Sequence, residues 1–295
     1  MTKTSFIAIV GKPNVGKSSI LNKVLGAKIA IVSSKPQTTR TRIMGVLTVD
    51  EIQLVFTDTP GYHKPRNRLG EYMNNAVGDS IGGTDTVLFV TEPRGELDEK
   101  ELELIDKFKK EKMPVILAIN KIDMIKDKKE LLDRIIYLSS FYDFTAVVPV
   151  SAIEGDGMEE LVDEMKKTAF DSPHFFPDDT LTDQPERVLA AEMIREKILR
   201  LMDKEVPHGI AVSIEKMSER KDKPILDIDA VIYCERETHK GMVIGKNGAM
   251  LKKISTFARQ DLEAFFDVKV NLHTWVKVKE NWRNREGLIH NFGLD

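Results

Sequence analysis

Gly11-Lys12-Pro13-Asn14-Val15-Gly16-Lys17-Ser18 fits the pattern G-x-x-x-x-G-K-[ST], and its flanks decide what it means. An apolar run, residues 6–10, precedes it, and a helix-patterned segment opening at Ser19 and running to Leu25 follows. A strand–loop–helix setting is what turns this pattern into a phosphate-binding loop. Glycines at 11 and 16 let backbone N–H groups converge on phosphate oxygens, Lys17 reaches the outer phosphates, and the Ser18 hydroxyl suits a Mg²⁺ coordination position.

Outward from this loop, strand-like and helix-like stretches alternate. Strands are expected over 6–10, 44–49, 53–58, 86–91, 114–120 and 146–149, and helices over 19–25, 69–79, 98–112, 128–139 and 158–167. The continuous apolar runs Val87–Val90 and Val115–Ile119 suit strands covered on both faces. The fold class is therefore α/β, with a mostly parallel six-stranded sheet and ligand-binding loops at the carboxyl ends of its strands.

Three further pieces fall at such ends. Asp58-Thr59-Pro60-Gly61 closes a strand; its carboxylate can hold Mg²⁺ through water, and the Gly61 N–H can meet a γ-phosphate. Asn120-Lys121-Ile122-Asp123 closes another, where a buried Asp123 carboxylate can accept two hydrogen bonds from guanine that adenine cannot donate. Ser151-Ala152 follows the last strand and can offer a backbone N–H to guanine O6. A polar segment, Ser33–Arg40, lies between the phosphate loop and Asp58. Each piece alone has a bland reading as a turn, a cap or a surface loop; their joint order is what points to a GTP-binding switch domain.

The chain has 295 residues, 41% hydrophobic and 31% charged, with a net charge of −3. Length predicts about two domains. Charge divides unevenly: residues 236–283 carry ten Lys or Arg against five Asp or Glu. A locally basic second half on an acidic chain suggests a second task. The single cysteine, Cys234, excludes an intramolecular disulfide, fits a reducing cytosol and reads as a buried strand filler. No signal-peptide pattern opens the sequence, and no apolar run approaches the ~18 residues of a membrane span.

Residues 171–185, with prolines at 173, 177 and 185, read equally as a linker or as an ordered loop anchored by Phe175 and Phe176. They separate a domain over 1–170 from one over 186–295. The second carries Gly245-Lys246-Asn247-Gly248, a G-x-x-G loop after Met242–Ile244 and before an amphipathic helix over 249–266. Leu251, Ile254, Phe257, Ala258 and Leu262 are spaced for its apolar face. Such a loop clamps the backbone of about four nucleotides of single-stranded RNA. Lys246 supplies charge and Ile244 a floor for bases, while Lys252, Lys253 and Arg259 read as solvated helix charges.

Through these motifs the chain resembles the translation-factor-related GTPases, and most closely the Era family, over essentially its whole length. The resemblance implies a phosphate-loop GTPase domain followed by a smaller α+β type II K-homology domain. It implies GTP hydrolysis with Mg²⁺ held by Ser18, Thr39 and Asp58, binding of the 3′ end of 16S ribosomal RNA, and a role in assembling the small ribosomal subunit. Catalysis would rest on Lys17, Thr39 and Gly61. Thr39 is implied as the switch I residue, with Thr38 the adjacent alternative, and residues 58–74 as switch II. Asn14 is implied as a K⁺ ligand; the alternative is that it only bonds the loop backbone. A monomer in the cytoplasm, associating peripherally with the inner face of the membrane, completes the implied picture. One departure bears on rate: Tyr62 stands where Ras-like proteins place a water-orienting Gln, so slow intrinsic hydrolysis is expected. That departure keeps open a module that holds nucleotide with scarcely any turnover.

Overall fold

The computed structural model describes residues 1–35, 38–60, 67–73, 82–202 and 206–294, which form two compact units. In the first, β1 (Lys3–Val10), β2 (Ile43–Val49), β3 (Ile52–Asp58), β4 (Thr86–Thr91), β5 (Val115–Asn120) and β6 (Ala146–Val150) form a sheet in the order β2-β3-β1-β4-β5-β6. Only β2 runs antiparallel to its neighbour along that path. Every residue of β4 and β5 is buried, as their unbroken apolar runs require. The helices of this unit are α1 (Lys17–Leu25), α3 (Glu99–Glu111), α4 (Lys128–Ser139) and α5 (Met158–Lys166), while α2 (described over 68–73) lies mostly in a stretch that groups with the second unit. Ile105 and Phe108 of α3 pack with Leu138 of α4 onto Phe89, Val115 and Leu117. Truncating a side chain such as Phe108, fully buried here, typically costs about 3–5 kcal/mol. Residues expected as the later part of a 69–79 helix lie outside the described residues from 74 onward.

The stretch from 171 is ordered against this sheet. A two-residue strand, β7 (Phe170–Asp171), pairs antiparallel with β1 and adds a seventh strand to the six expected. The Thr4 hydroxyl donates to the Pro173 carbonyl (3.0 Å), and Phe175 meets Phe6 edge to face at 5.0 Å. Fully buried Gln53 accepts from the Phe175 and Phe176 N–H groups (2.8 and 3.1 Å) and donates to the Phe176 carbonyl (2.9 Å). Further on, Val46 N–H donates to the Leu181 carbonyl (2.9 Å) and the Thr182 hydroxyl to the Met44 carbonyl (2.6 Å). The compact unit thus reaches Asp183, because a buried glutamine supplies the backbone partners that proline-rich chain cannot find in itself.

The second unit has α6 (Glu186–Leu201), β8 (Ile210–Glu219), β9 (Ile225–Cys234), α7 (Glu237–Ile244), α8 (Ala249–Phe266), β10 (Lys269–Val278) and α9 (Glu286–Asn291). Its sheet runs β10-β9-β8, with β9 and β10 parallel and β8 and β9 antiparallel. Met242–Ile244, ahead of the G-x-x-G loop, is the last turn of α7. On α8, Ile254, Ala258 and Leu262 are buried, while Phe257 is 39% exposed with the Lys253 ammonium 6.0 Å from its ring centre. Phe257 sits at the edge of the apolar stripe, where a neighbouring lysine covers it instead of the core. Cys234 is fully buried, and burial pushes its thiol up to about 12, as suits an apolar filler.

Helix α6 buries charged as well as apolar side chains. Arg195, Glu196 and Lys197 are all buried beside Met193, Ile194 and Ile198. Among the described residues, 31–35, 38 and 67–72 group with this unit. Part of that early stretch meets the charged side of α6 and buries it.

Candidate functional site: a phosphate loop, a base-reading corner and an RNA clamp

β1 runs into Gly11, and Gly16 caps α1 in a left-handed conformation (φ 102°) without a side-chain cap. A Cβ at Gly16 would lie 2.1 Å from the Asn120 amide nitrogen, so glycine is needed for packing as well as for φ. Asn14 is also left-handed (φ 66°), a region Asn tolerates better than other side chains. Lys17 is buried, and its ammonium donates to the Gly11 and Lys12 carbonyls (3.0 and 2.9 Å). Burial lowers it to about 8, with the Asp58 carboxylate opposing that shift. Ser19 follows Ser18 in the first turn of α1.

Ser18, Thr39 and Asp58 come together although they lie far apart in sequence. The Ser18 hydroxyl donates to Asp58 Oδ2 (2.6 Å) and lies 2.9 Å from the Thr39 hydroxyl. Thr38 turns away and donates to the Lys35 carbonyl (2.6 Å), so of the two threonines it is Thr39 that meets Ser18. Asp58 Oδ1 is buried with no partner among the described residues. Two hydroxyls and a carboxylate with an orphaned oxygen form the hard oxygen donor set that Mg²⁺ takes, and the residues fit that ion. Burial raises the Asp58 carboxyl to about 6, against the pull of Lys17 and the Ser18 hydrogen bond. Below that value a proton competes with the cation. Mg²⁺-dependent GDP affinity is therefore expected to fall about fourfold between pH 7.5 and 5.5, measured by titration with a fluorescent GDP. Thr59 is buried and donates to the Ile9 carbonyl (2.9 Å); Pro60 is buried beside it. Gly61 and Tyr62 lie outside the described residues.

The base-reading corner is built around Asn120. Its amide donates to the Val15 carbonyl of the phosphate loop (2.8 Å) and accepts from Ala152 N–H (3.1 Å). Lys121, left-handed at φ 68°, donates to the Asn14 carbonyl (2.7 Å) and pairs with Glu92. Asp123 is exposed, not buried as expected; Oδ1 accepts from the Ser151 hydroxyl (2.6 Å). A base docked here would supply the missing cover. Both backbone N–H groups from which the one expected for guanine O6 could come already have acceptors: Ser151 donates to the Asp156 carbonyl (2.9 Å) and Ala152 to Asn120. Gly155 N–H closes the turn on the Ser151 carbonyl (2.7 Å), and O6 would share the Ala152 donor with Asn120.

Sequence reading missed the support under the loop. Lys12 pairs with Glu101 (2.6 Å), which is buried at the start of α3. Glu101 also closes a capping box with Asp98. The Asp98-x-x-Glu101 spacing advertises that cap. Nothing local indicates that Lys12 would reach it.

In the second unit, Gly245 (φ 70°, ψ 175°), left-handed Asn247 and Gly248 (φ 76°) turn the chain from α7 into α8. A Cβ at Gly245 would lie 2.8 Å from the Met250 Cβ and 3.0 Å from its backbone nitrogen. Lys246 and Asn247 are exposed and Ile244 is half-buried beside them. Gly248 caps α8 without a side-chain acceptor, leaving first-turn N–H groups available to a phosphate. Arg259 is occupied by Glu263 (3.1 Å), as a solvated helix charge would be.

These two sites define the class: a phosphate-loop GTPase joined to a K-homology domain. A family model described as "50S ribosome-binding GTPase" matches residues 6–121, and one described as "KH domain" matches 205–283. GTPase Era of Clostridioides difficile (strain 630) is 49% identical over 295 residues, covering 100% of this chain and 99% of that protein. GTPase Era of Clostridium kluyveri is 47% identical over 293 residues, covering 99% of both. A solved Aquifex aeolicus Era variant bound to GDP and aluminium fluoride superimposes with a TM-score of 0.95 at 39% identity, covering 99% of each chain. An Era in complex with MgGDPNP and nucleotides 1506–1542 of 16S ribosomal RNA matches equally well, with a TM-score of 0.95 at 39% identity over 100% of this chain and 99% of that one. The chain belongs to the Era GTPase family.

Proposed function

We propose that this GTPase couples hydrolysis of GTP to GDP and phosphate with binding of the 3′ end of 16S ribosomal RNA during maturation of the small ribosomal subunit. The observation that carries this reading is the near-complete match to an Era that holds MgGDPNP and that RNA together. The residues supply the parts. Backbone N–H groups of 11–16 and the Lys17 ammonium bind the phosphates and oppose the charge that develops as water attacks the γ-phosphorus. Ser18, Thr39 and Asp58 hold Mg²⁺, whose bound charge neutralises the β- and γ-oxygens. Asp123 selects guanine, Asn120 and Lys121 brace its corner against the phosphate loop, and Gly61 follows the γ-phosphate. Gly245–Gly248 with Ile244 holds the RNA backbone.

Catalysis here is mainly positioning and charge stabilisation. Tyr62 offers no amide to orient water, so the loop carries more of the task, with Asn14 as the K⁺ ligand. Loss of the γ-phosphate frees Thr39 and Gly61, which relaxes both switches and gives the RNA-binding unit a two-state signal. The chain acts in the cytosol as a monomer, with the family's peripheral membrane association carried over. No helix among the described residues is long and apolar enough to cross a membrane.

Phosphate release over many turnovers, with and without a 16S 3′-end oligonucleotide and in K⁺ or Na⁺ buffer, tests this reading. Turnover is expected to be slow alone and faster in K⁺, and RNA affinity to differ between the GDPNP and GDP states. Gly245→Ala should weaken RNA binding about tenfold, since one strained backbone position costs on the order of 1–3 kcal/mol, and leave GTP affinity unchanged. Equal RNA affinity in both nucleotide states would sink the coupling, and equal rates in Na⁺ and K⁺ would remove Asn14 from its role. Single-turnover hydrolysis without recycling would favour the nucleotide-holding module that Tyr62 suggests.

A further inference from the structure

The connection from β4 to α3, with the first turn of α3, holds the phosphate loop at two places. Lys12 Nζ pairs with Glu101 Oε2 (2.6 Å) and reaches Asp98 Oδ2 (3.5 Å) and the Glu96 carbonyl (3.3 Å). Lys121, which donates to the Asn14 carbonyl (2.7 Å), pairs with Glu92. The connection is itself tied down. Arg134 of α4 donates from Nε to the Glu92 carbonyl (3.1 Å) and from Nη1 to the Gly95 carbonyl. All of these groups belong to the first unit.

The two pairs differ in weight. The Glu92 side chain is exposed and water screens its pair, whereas the Glu101 side chain is only 4% exposed. A carboxylate taken out of water costs free energy unless a cation meets it. Glu101 Oε2 also accepts from Asp98 N–H (3.0 Å) at the cap of α3, which fixes the carboxylate on its helix. Lys12 brings that fixed carboxylate a full charge at hydrogen-bond distance. Lys12 is also where a tie from outside has most leverage on the start of the loop. Gly11 has no side chain, and Pro13 has no N–H and a fixed φ. The Lys12 carbonyl accepts from the Lys17 ammonium (2.9 Å). The residue that Glu101 holds by its side chain therefore holds Lys17 by its backbone.

We propose that Glu101 is a positioning residue for nucleotide binding: by holding Lys12 from α3 it keeps the phosphate loop in its phosphate-ready shape before nucleotide arrives. This rests on the reading of 11–18 as the loop that binds the phosphates. When only a fraction of the free protein is competent to bind, the apparent dissociation constant rises by the inverse of that fraction. The fraction belongs to the free protein, so GDP and GTP lose affinity by the same factor. Bound phosphates hold the loop themselves, so hydrolysis at saturating GTP is spared. A residue that only stabilised the fold would move neither quantity, and one that acted on the transition state would lower the saturated rate.

The test is titration of the full-length chain with fluorescent GDP and fluorescent GDPNP in Mg²⁺, for Glu101→Gln, Lys12→Met, Lys12→Arg and Lys17→Met, with single-turnover hydrolysis at saturating GTP for Glu101→Gln. Glu101→Gln keeps an acceptor for Asp98 N–H and removes the charge. It is expected to weaken GDP and GDPNP alike by about fivefold, the loss of one charge-assisted hydrogen bond from a partly exposed lysine, and to leave the saturated rate within about twofold. Lys12→Met should weaken both nucleotides by a similar factor, and the double variant should lose no more than either single one. Lys12→Arg keeps a cation that can reach the same carboxylate and should recover most of the loss. If Glu101→Gln does not fold, the contrast between Lys12→Met and Lys12→Arg carries the same expectation for affinity. Unchanged affinities in Glu101→Gln and Lys12→Met, unequal weakening of the two nucleotides, or a saturated rate that falls along with affinity overturns the proposal when Lys17→Met weakens both nucleotides. If Lys17→Met leaves both affinities unchanged as well, the phosphate-loop reading itself fails.

Discussion

Asp123→Asn should exchange the base this GTPase accepts, weakening GTP by about 10³-fold or more and admitting xanthosine nucleotides. The carboxylate offers two acceptors to the guanine N1–H and exocyclic amine. An amide keeps one acceptor and presents a donor, which faces the guanine amine and leaves a polar pair unmatched under the base. Sites built to hydrogen-bond a donor reject a mismatch by as much as ~10⁴–10⁵-fold. Xanthine carries a carbonyl where guanine carries the amine, so the same amide donor pairs with it. The Ser151 hydroxyl bonded to Asp123 Oδ1 (2.6 Å) can donate equally to an amide oxygen, so the corner should keep its shape. Competition binding with GTP, ATP and XTP measures the exchange. Unchanged GTP affinity in the variant would remove Asp123 from base recognition.

Lys17→Met should separate function from stability. Hydrolysis is expected to fall by about 10²–10³-fold, the usual cost of removing one preorganised charge from a transition state, with nucleotide affinity falling too. The protein without nucleotide should not be weakened. The ammonium is buried and held down to about 8 from 10.5, a shift of about 3 kcal/mol against its charged form. An apolar chain of similar length forfeits two carbonyl hydrogen bonds but carries no desolvated charge. Without nucleotide, melting is therefore expected at or above the wild-type temperature, while the rise in melting temperature caused by Mg·GDP largely disappears. A variant that melted well below wild type would show that Lys17 contributes to the fold itself.

Much of the fold could be read directly. Val87–Val90 and Val115–Ile119 have too many consecutive apolar residues for anything but covered strands, and both became fully buried. The phosphate loop, Asp58, Asn120 and the Gly245–Gly248 turn were legible because each needs a particular residue type at a short spacing. Phe257 was misread because helical periodicity cannot distinguish a core position from the stripe's edge. Between a linker and an ordered loop the stretch at 171–183 stayed open, because its order depends on Gln53, more than a hundred residues away. The Asn120 acceptor that Ala152 N–H already has could not be read because it is remote in sequence.

Local chemistry alone determined which groups this chain possesses: a glycine-rich phosphate-loop sequence, the carboxylates of Asp58 and Asp123 at strand ends, and a G-x-x-G turn at 245–248. These are encoded within a few residues each, where the backbone dictates the spacing. Tertiary structure decided which groups meet. It brought Thr39, and not Thr38, to Ser18 and Asp58; it gave Asn120 to both the phosphate loop and Ala152; and it set Glu196 against Val32 and Arg195 against Thr38. Such pairings depend on how strands and helices distant in sequence stack, and periodicity carries no information about a partner more than a turn or two away.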